Sequence, residues 1–527
     1  VLSNLNRAAE IEMHGGKFLL ELVERISRLA DPDEALILLD RLLQNNPDRD
    51  QLYRTVLQNL RGLDILASLI GQSPFLCDIC VKWPEYLVWL LQPESGLTRI
   101  KRWPDYQREI SDWIAEISDS QLAAQVLRRY QRREILRIAV RDILELGSIE
   151  DCALELSNLA DNVVHESCRQ IMGEYVRRYG RPLTGDGREA QFTVISLGKL
   201  GGRELNFSSD IDLIFVYEGE GKPENTPELD NFQYFEKMAA ELVGLLTTPS
   251  EDGYLYRVDT RLRPDGSRGS LVRSLRSMEL YYSSWGQNWE RQALLKARPV
   301  GGSTELGEKF LKTIRPFTFR KYVDPVSIQE TLQAMSEMRS RTIDNIRTTT
   351  TGTGINVKTG KGGIRDIEFV VQAIQMLYGG QYPEIRCPGT LESLRRIRES
   401  GLLSAEDYES MAEGYRFLRR VEHRLQMENG LQVYYLPEEP AAAHVFARRL
   451  GWPTWDSFLE DYRKIGEKIY TIFDDIFSPF SKTDLFTLIM DPAQGDAVLR
   501  SLLPFRQFGS QARADRRQSQ GGHDRGR

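Results

Sequence analysis

The sequence predicts an α+β chain, predominantly α overall, with one small mixed sheet set between two helical regions. Three observations carry that reading. Apolar residues recur at helical spacing through residues 1–150 and again through 320–480. Between them, residues 193–217 (TVISLGKLGGRELNFSSDIDLIFVY) read as an apolar strand, a glycine-rich turn, a polar link and a second apolar strand. Residues 254–262 (YLYRVDTRL) read as a third strand, with Tyr256, Val258 and Leu262 on one face and Arg257, Asp259 and Arg261 on the other. The implied organisation is an N-terminal helical region (1–150), a domain holding the sheet (151–319), a C-terminal helical bundle (320–482), and a linker with a basic tail (483–527).

In the first region, Phe18, Leu19, Leu22, Val23, Ile26 and Leu29 make one helical face. Leu36, Ile37, Leu39, Leu42 and Leu43 make a second, and Leu52, Val56, Leu60, Leu63 and Leu66 a third. Pro47, Pro74, Pro84, Pro93 and Pro104 punctuate them. The arginine cluster of 128–140 (RRYQRREILRIAV) reads as a solvated helix face rather than a phosphate contact. Ser148, with Asp151 three residues on, marks the start of a helix running to about Arg178. Segments 181–190 and 219–231 read as loops, the second followed by a helix through Phe235, Met238, Leu242 and Leu245. Beyond 320, a Thr/Gly-rich loop spans 348–363. It precedes a helix with Ile367, Val370, Val371, Ile374 and Leu377 on one face, and 415–427 forms another amphipathic helix. From about Arg506 the chain holds six arginines, two aspartates and almost no apolar residue, the composition of a disordered tail.

Composition excludes several classes. The net charge of −7 argues against a nucleic-acid binder. No apolar run approaches the ~20 residues of a membrane span. The first residues lack the basic-then-apolar order of a signal peptide and an initiating Met, as expected of a processed or partial product. Five cysteines include one CxxC, Cys77 and Cys80, with no second pair. A closed zinc site needs four ligands, so these read as reduced thiols of a cytoplasmic protein.

The chemistry gathers at the second strand. Asp210 and Asp212 open it and, at period two, point the same way. Apolar neighbours leave them no obvious counter-charge, so a divalent cation is the natural occupant. With Asp259 from the next strand, three carboxylates suffice for two magnesium ions and in-line displacement at phosphorus. The turn Gly198-Lys199-Leu200-Gly201-Gly202 offers backbone N–H groups to phosphate oxygens, with Lys199 as an added charge. It matches neither a Walker A loop nor a dinucleotide fingerprint.

LGKLGGRELNFSSDIDLIFVY resembles the signature of the nucleotidyltransferase superfamily that includes DNA polymerase beta. More narrowly, it is similar to the glutamine synthetase adenylyltransferase/adenylyl-removing enzymes. The likeness continues through YRVDTRLRPDGSRGSLV, NWERQALLKARPV, KTGKGGIRDIEFVVQ and YRFLRRVEHRLQ, covering roughly 110–480. It implies a polymerase-beta-like nucleotidyltransferase domain, with Asp210, Asp212 and Asp259 as catalytic metal ligands for Mg2+. Gly201, Gly202, Ser208 and Ser209 would shape the phosphate pocket of an ATP, ADP or AMP moiety, and Arg261 and Arg263 would face phosphates. Lys361, Arg365, Asp366 and Glu368 would close over the nucleotide. Glu290, Arg291, Lys296 and Arg298 read as structural pairing, and His165 and His423 as packing or surface residues.

That family is bifunctional, with two homologous halves joined by a regulatory region. One copy of the motif is present here, and ELNFSSDIDLIF with Arg365 in GGIRDIEF looks like the N-terminal, AMP-removing half. The resemblance implies phosphate-dependent removal of AMP from a tyrosine of glutamine synthetase, with release of ADP. Glutamine synthetase is then the protein partner, and the PII signal protein a partner of the full-length enzyme; no nucleic acid or membrane is expected. The alternatives are the forward, ATP-dependent transfer, which uses the same aspartates, and a catalytically silent nucleotide sensor. A nucleic-acid polymerase fits worst, for want of a basic stripe.

Overall fold

The computed structural model describes residues 15–59, 61–321, 325–349 and 354–481. Leu60 and the expected tail lie outside the described residues. Helices α1 (Gly15–Ser27), α2 (Pro32–Asn45), α3 (Arg49–Gln58), α4 (Gly62–Gln72), α5 (Pro74–Lys82), α6 (Pro84–Leu90) and α7 (Trp103–Trp113) form the N-terminal layer. Prolines stand in the first turn of four of them (α2, α5, α6 and α7), where the missing N–H costs nothing. Leu22, Ile26, Leu39, Leu42, Leu43, Leu52, Val56 and Leu66 are buried, as the spacing predicts. Val23 and Ile37 are instead exposed, since a contiguous apolar run is wider than the face a helix buries. Among the described residues no single helix is long and apolar enough to cross a membrane.

Helices α8 (Ser120–Ile143) and α9 (Ile149–Tyr179) follow. Ser148 and Asp151 form the expected capping box of α9. The arginine cluster of α8 departs from expectation, because it is not a solvated face. Arg128, Glu134, Arg137 and Arg141 are buried. Glu134 binds Lys101 at 3.0 Å and Arg137 at 2.7 Å. Glu155 of α9 binds Arg137 at 2.6 Å and Arg141 at 2.9 Å. Charge periodicity alone does not reveal that a second acidic helix lies opposite.

The sheet is built on β2 (Phe192–Leu197) and β3 (Ile211–Tyr217), paired antiparallel. Between them, 198–201 makes the short helix α10 rather than a simple turn. Two strands lie along the other edge of β3, both parallel to it: β5 (Val258–Asp259) beside its start and β6 (Val272–Ser274) beside its end. The expected third strand is thus only two residues long, although the Arg257 carbonyl still accepts from the Ile211 N–H at 2.9 Å. β7 (Arg298–Gly302) pairs antiparallel with β2, with a bulge between Val194 and Ile195. A separate ribbon of β1 (Pro182–Thr184) and β4 (Gly221–Pro223) occupies the two segments expected as loops. Three-residue strands carry too little pattern to be read from sequence.

β3 is apolar along its length because both its faces are covered. Ile211, Leu213 and Phe215 join the core shared with α9, α11 (Asn231–Thr247) and the N-terminal layer. Ile214 and Val216 pack with Leu275 and Met278 of α12 (Leu275–Ser284) and with Phe310 and Ile314 of α14 (Thr304–Thr318). Helix α13 (Asn288–Leu294) lies between these two in sequence.

The last part comprises α15 (Pro325–Thr349), α16 (Ile364–Tyr378), α17 (Thr390–Glu399), α18 (Ala405–Asn429), α19 (Pro440–Arg449) and α20 (Trp455–Ser481), around Val370, Ile374, Leu418, Val421 and Phe458. The expected loop 348–363 begins inside α15, and its residues 350–353 lie outside the described ones. The N-terminal layer reaches this bundle directly. The Ser73 hydroxyl donates to the Met427 carbonyl, and Phe75 lies where a side chain at Gly430 would stand.

Candidate active site

A cleft of about 460 Å³ opens where β3, β5, α10, α13 and α16 meet. Asp210, Asp212 and Asp259 line it, as do Gly198, Lys199, Ser209 and Arg261. Asp212 and Asp259 stand opposite each other in the β3–β5 register. Asp212 shares strand parity with Ile214 and Val216, so the fold fixes its direction. Gly198 has φ +54°, and a β-carbon there would stand 2.1 Å from Oδ2 of Asp212. Glycine is therefore required at 198 by both the backbone and the carboxylate.

The three carboxylates differ in their partners. Asp210 accepts from Nε of Arg257 at 2.5 Å, contrary to the expectation that no counter-charge stands nearby. Arg257 is anchored in turn on the Ser208 carbonyl at 2.8 Å. Asp259 accepts from Nη2 of Arg261 at 2.6 Å and from that residue's backbone N–H at 2.8 Å. Burial works to raise the Asp259 pKa, but the Arg261 hydrogen bonds outweigh it and hold the carboxyl below its usual range. Asp212 has no hydrogen-bond or ion-pair partner among the described residues. Burial, then the charges of Asp259 and Asp210, push its pKa up to about 6.

The donor set is all oxygen and suits magnesium, and a buried carboxylate without a cation is what such an ion would relieve. Among the described residues, the group of three candidate ligands lying within 4.8 Å of one another is Asp142, Cys152 and His423, not the aspartates. Arg257 and Arg261 draw two of the aspartates to their own guanidinium groups.

Other expected residues fall elsewhere. Gly201 is a packing glycine, since a β-carbon would meet the Lys296 carbonyl at 2.0 Å; one at Gly202 would meet the Glu204 side chain at 2.9 Å. Ser208 donates its N–H to Gln426 and its hydroxyl to the Gly430 carbonyl, away from the cleft. Arg263 stitches its own loop, donating to the carbonyls of Thr260, Ser267, Gly269 and Ser270. Lys199 reaches the cleft but is paired with Glu422 at 2.7 Å. Burial pushes its pKa down to about 8.

Of the later motifs, Lys296, Arg365 and Glu368 line the cleft. Lys296 is ion-paired to Glu204 and lies 3.7 Å from Glu368. Asp366 instead binds Arg339 at 2.6 Å, and Lys361 lies 4.3 Å above the Tyr470 ring. Glu290 caps α13, Arg291 donates to the carbonyls of Thr318 and Met376, and Arg298 binds Asp161 at 2.7 Å; these are structural pairs, as expected. His165 packs edge-on to Trp103, and His423 is buried beside Asp142. All five cysteines are free and buried.

Residues not singled out from the sequence complete the cleft: Trp289, Gln292, Lys358, Phe369, Gln372, Gln432 and Tyr434. Lys358 lies 4.5 Å above the Tyr434 ring and donates to its hydroxyl at 3.2 Å. Most of these sit inside stretches already conspicuous in sequence (NWERQ, KTGKGG, EFVVQ), so the signal was present at segment level. Gln432 and Tyr434 carried none.

Residues 63–313 match the family model described as glutamate-ammonia ligase adenylyltransferase. Residues 330–477 match that of GlnD PII-uridylyltransferase. Similar curated proteins include three bifunctional glutamine synthetase adenylyltransferase/adenylyl-removing enzymes. That of Thioalkalivibrio sulfidiphilus is 33% identical over 452 residues, covering 86% of this chain and 46% of the relative. That of Idiomarina loihiensis is 33% identical over 471 residues, covering 87% and 49%. That of Nitrosococcus oceani is 34% identical over 423 residues, covering 79% and 43%. The chain spans about half the length of the curated relatives it matches. The resemblance read from the motifs therefore holds: residues 63–313 are similar to the glutamate-ammonia ligase adenylyltransferase family, and the relatives' names are those of enzymes.

Proposed function

We propose that this chain is a polymerase-beta-like nucleotidyltransferase that removes AMP from a tyrosine of glutamine synthetase, consuming orthophosphate and releasing ADP. The observation that carries the reading is the make-up of the cleft. It combines the carboxylates Asp210, Asp212 and Asp259 with the cations Lys199, Lys296, Lys358 and Arg365. Carboxylates suit a divalent ion, and cations suit the phosphates that such an ion would share. The names of the relatives support the choice of protein substrate.

Asp210, Asp212 and Asp259 would hold magnesium, which supplies a lowered pKa to an attacking oxygen and takes up leaving-group charge. Everything else is the work of side chains. Arg257 and Arg261 orient Asp210 and Asp259, and the Arg261 hydrogen bonds keep Asp259 ionised. Lys296 and Lys199 are each held at the cleft wall by a glutamate. Lys358 and Arg365 have no salt bridge among the described residues, so theirs is the charge most available to phosphate oxygens. Phe369, Tyr434 and Trp289 offer ring surface for a base. In the reaction an oxygen of orthophosphate bonds to the phosphorus of the AMP–tyrosine ester. The phosphorus–tyrosine oxygen bond breaks, and the tyrosine oxygen leaves and takes a proton.

The test is incubation with glutamine synthetase carrying labelled AMP, magnesium and phosphate. Labelled ADP is the expected product; label retained on the synthetase by folded protein overturns the reading. The relatives' name covers both activities, which keeps the ATP-dependent direction as a second reading. Pyrophosphate release on adding ATP and unmodified synthetase would mark it. Nucleotide binding without turnover in either direction would mark a silent sensor.

A further inference from the structure

Helix α18 turns a buried polar stripe toward the segment that carries the cleft. Arg419, Glu422 and Gln426 are spaced three and four apart, so they share one face. Their relative exposures are 1%, 0% and 0%, beside the apolar Leu418, Val421 and Leu425 of the same helix. Polar groups so buried cost free energy unless they are bound. Here they bind successive points of the chain between β2 and β3. Oε1 of Glu422 accepts from the Lys199 ammonium at 2.7 Å, and Oε2 accepts from Arg419 at 2.9 Å. Arg419 also donates to the carbonyls of Glu204 at 2.8 Å and Leu205 at 3.3 Å. Gln426 accepts the Ser208 N–H at 2.9 Å. Two residues further along the chain stands Asp210.

We infer that Glu422 is a positioning residue for the reaction proposed above, holding the Lys199 ammonium at the cleft wall where it meets the phosphates of the reacting nucleotide. The inference rests on that proposed reaction. Lys199 is the one member of the stripe's partners whose side chain lines the cleft. Its charged surroundings are Glu422, Arg419, Lys358 and Glu368, with the Tyr434 ring 5.8 Å away. Glu422 is the carboxylate in direct contact with it, so Glu422 sets where the ammonium stands. A purely architectural role, pairing Arg419 within α18, would need no cleft-facing partner.

The experiment is a double-mutant cycle on the phosphorolytic assay, with kcat and the KM for AMP-modified glutamine synthetase measured separately. Glu422→Gln keeps the size of the side chain and removes its charge. The expected result is a fall in kcat on the order of 100-fold, the size expected of a displaced catalytic-site group, with KM within about twofold. In a Lys199→Met background, already slowed, Glu422→Gln is expected to cost less than about twofold more. A full-sized additional loss there, or unchanged kcat in the single variant, overturns the inference. Should Glu422→Gln fold poorly, Glu422→Asp retracts the carboxylate while keeping its charge. Its smaller loss of about tenfold must likewise vanish in the Lys199→Met background, and persistence of that loss overturns the inference. Wild-type protein that turns over nothing in either direction overturns the proposed function, and this inference with it. An active wild type with additive variants overturns the inference alone.

Discussion

Two charge clusters in this molecule invite comparison. Under the N-terminal layer, Lys101, Glu109, Arg133, Glu134, Arg137, Arg141 and Glu155 form a network in which each carboxylate meets at least two cations. Burial works to raise the Glu134 pKa, but Arg137, Lys101 and Arg133 bring it down to about 2. In the cleft, Asp212 is moved the other way, up to about 6. In the first cluster every carboxylate is paired. The second keeps one carboxylate out of balance, which is the feature that favours the cation site proposed above. Burial of charge is thus no mark of function by itself; the unfinished pairing is.

Variants can break this contrast, and the largest effect is expected in the cleft. Asp212→Asn should lower kcat by about 10³-fold or more, given that metal stabilisation of a transition state is worth several kcal/mol. Its melting temperature should not fall, because a strained carboxylate has been removed. A variant that melts early and keeps turning over would reverse the assignment of the two clusters. Arg137→Met should do the opposite. It takes one buried partner from each of Glu134 and Glu155 and should cost about 3–5 kcal/mol in denaturant titration, while kcat of the folded fraction is retained.

Acid titration sharpens the same distinction. Glu134 has a depressed pKa in the folded protein, so its stabilisation is fully present above its unfolded value of about 4.3 and is lost as pH falls toward 2. On the order of 3 kcal/mol should disappear across that window, and less in Glu134→Gln, as followed by circular dichroism. The smallest effect should come from Arg261→Gln. This side chain is 77% exposed, and losing its ion pair should change stability by less than about 1 kcal/mol. Activity should change more than stability, because Asp259 loses its orienting partner.

That the aspartates line one cleft was legible in the sequence because strand parity is short-ranged: Asp212 and Asp259 face each other across β3 and β5, and Asp210 stands just before β3. The glycine-rich turn was half legible. A run of glycines announces close approach, but not to what, and Gly198 meets a carboxylate while Gly201 meets a backbone carbonyl. Arg263 and Ser208 were misplaced for a similar reason, since a polar residue near a site in sequence often serves to hold the loop. The arginines of α8 were misread because an ion network is a property of two helices, and only one was under view. Lys358 and Tyr434 enter the cleft from a separate core, which no local pattern announces.

The joint between Ser73 and Met427 spans 354 positions of chain. At ribosomal speeds of about 5–20 residues per second, Ser73 emerges roughly 20 to 70 s before its acceptor is made. Throughout that interval the surface around Phe75 has no lid, and the earliest helices must wait, sticky and half-dressed, for one of the last.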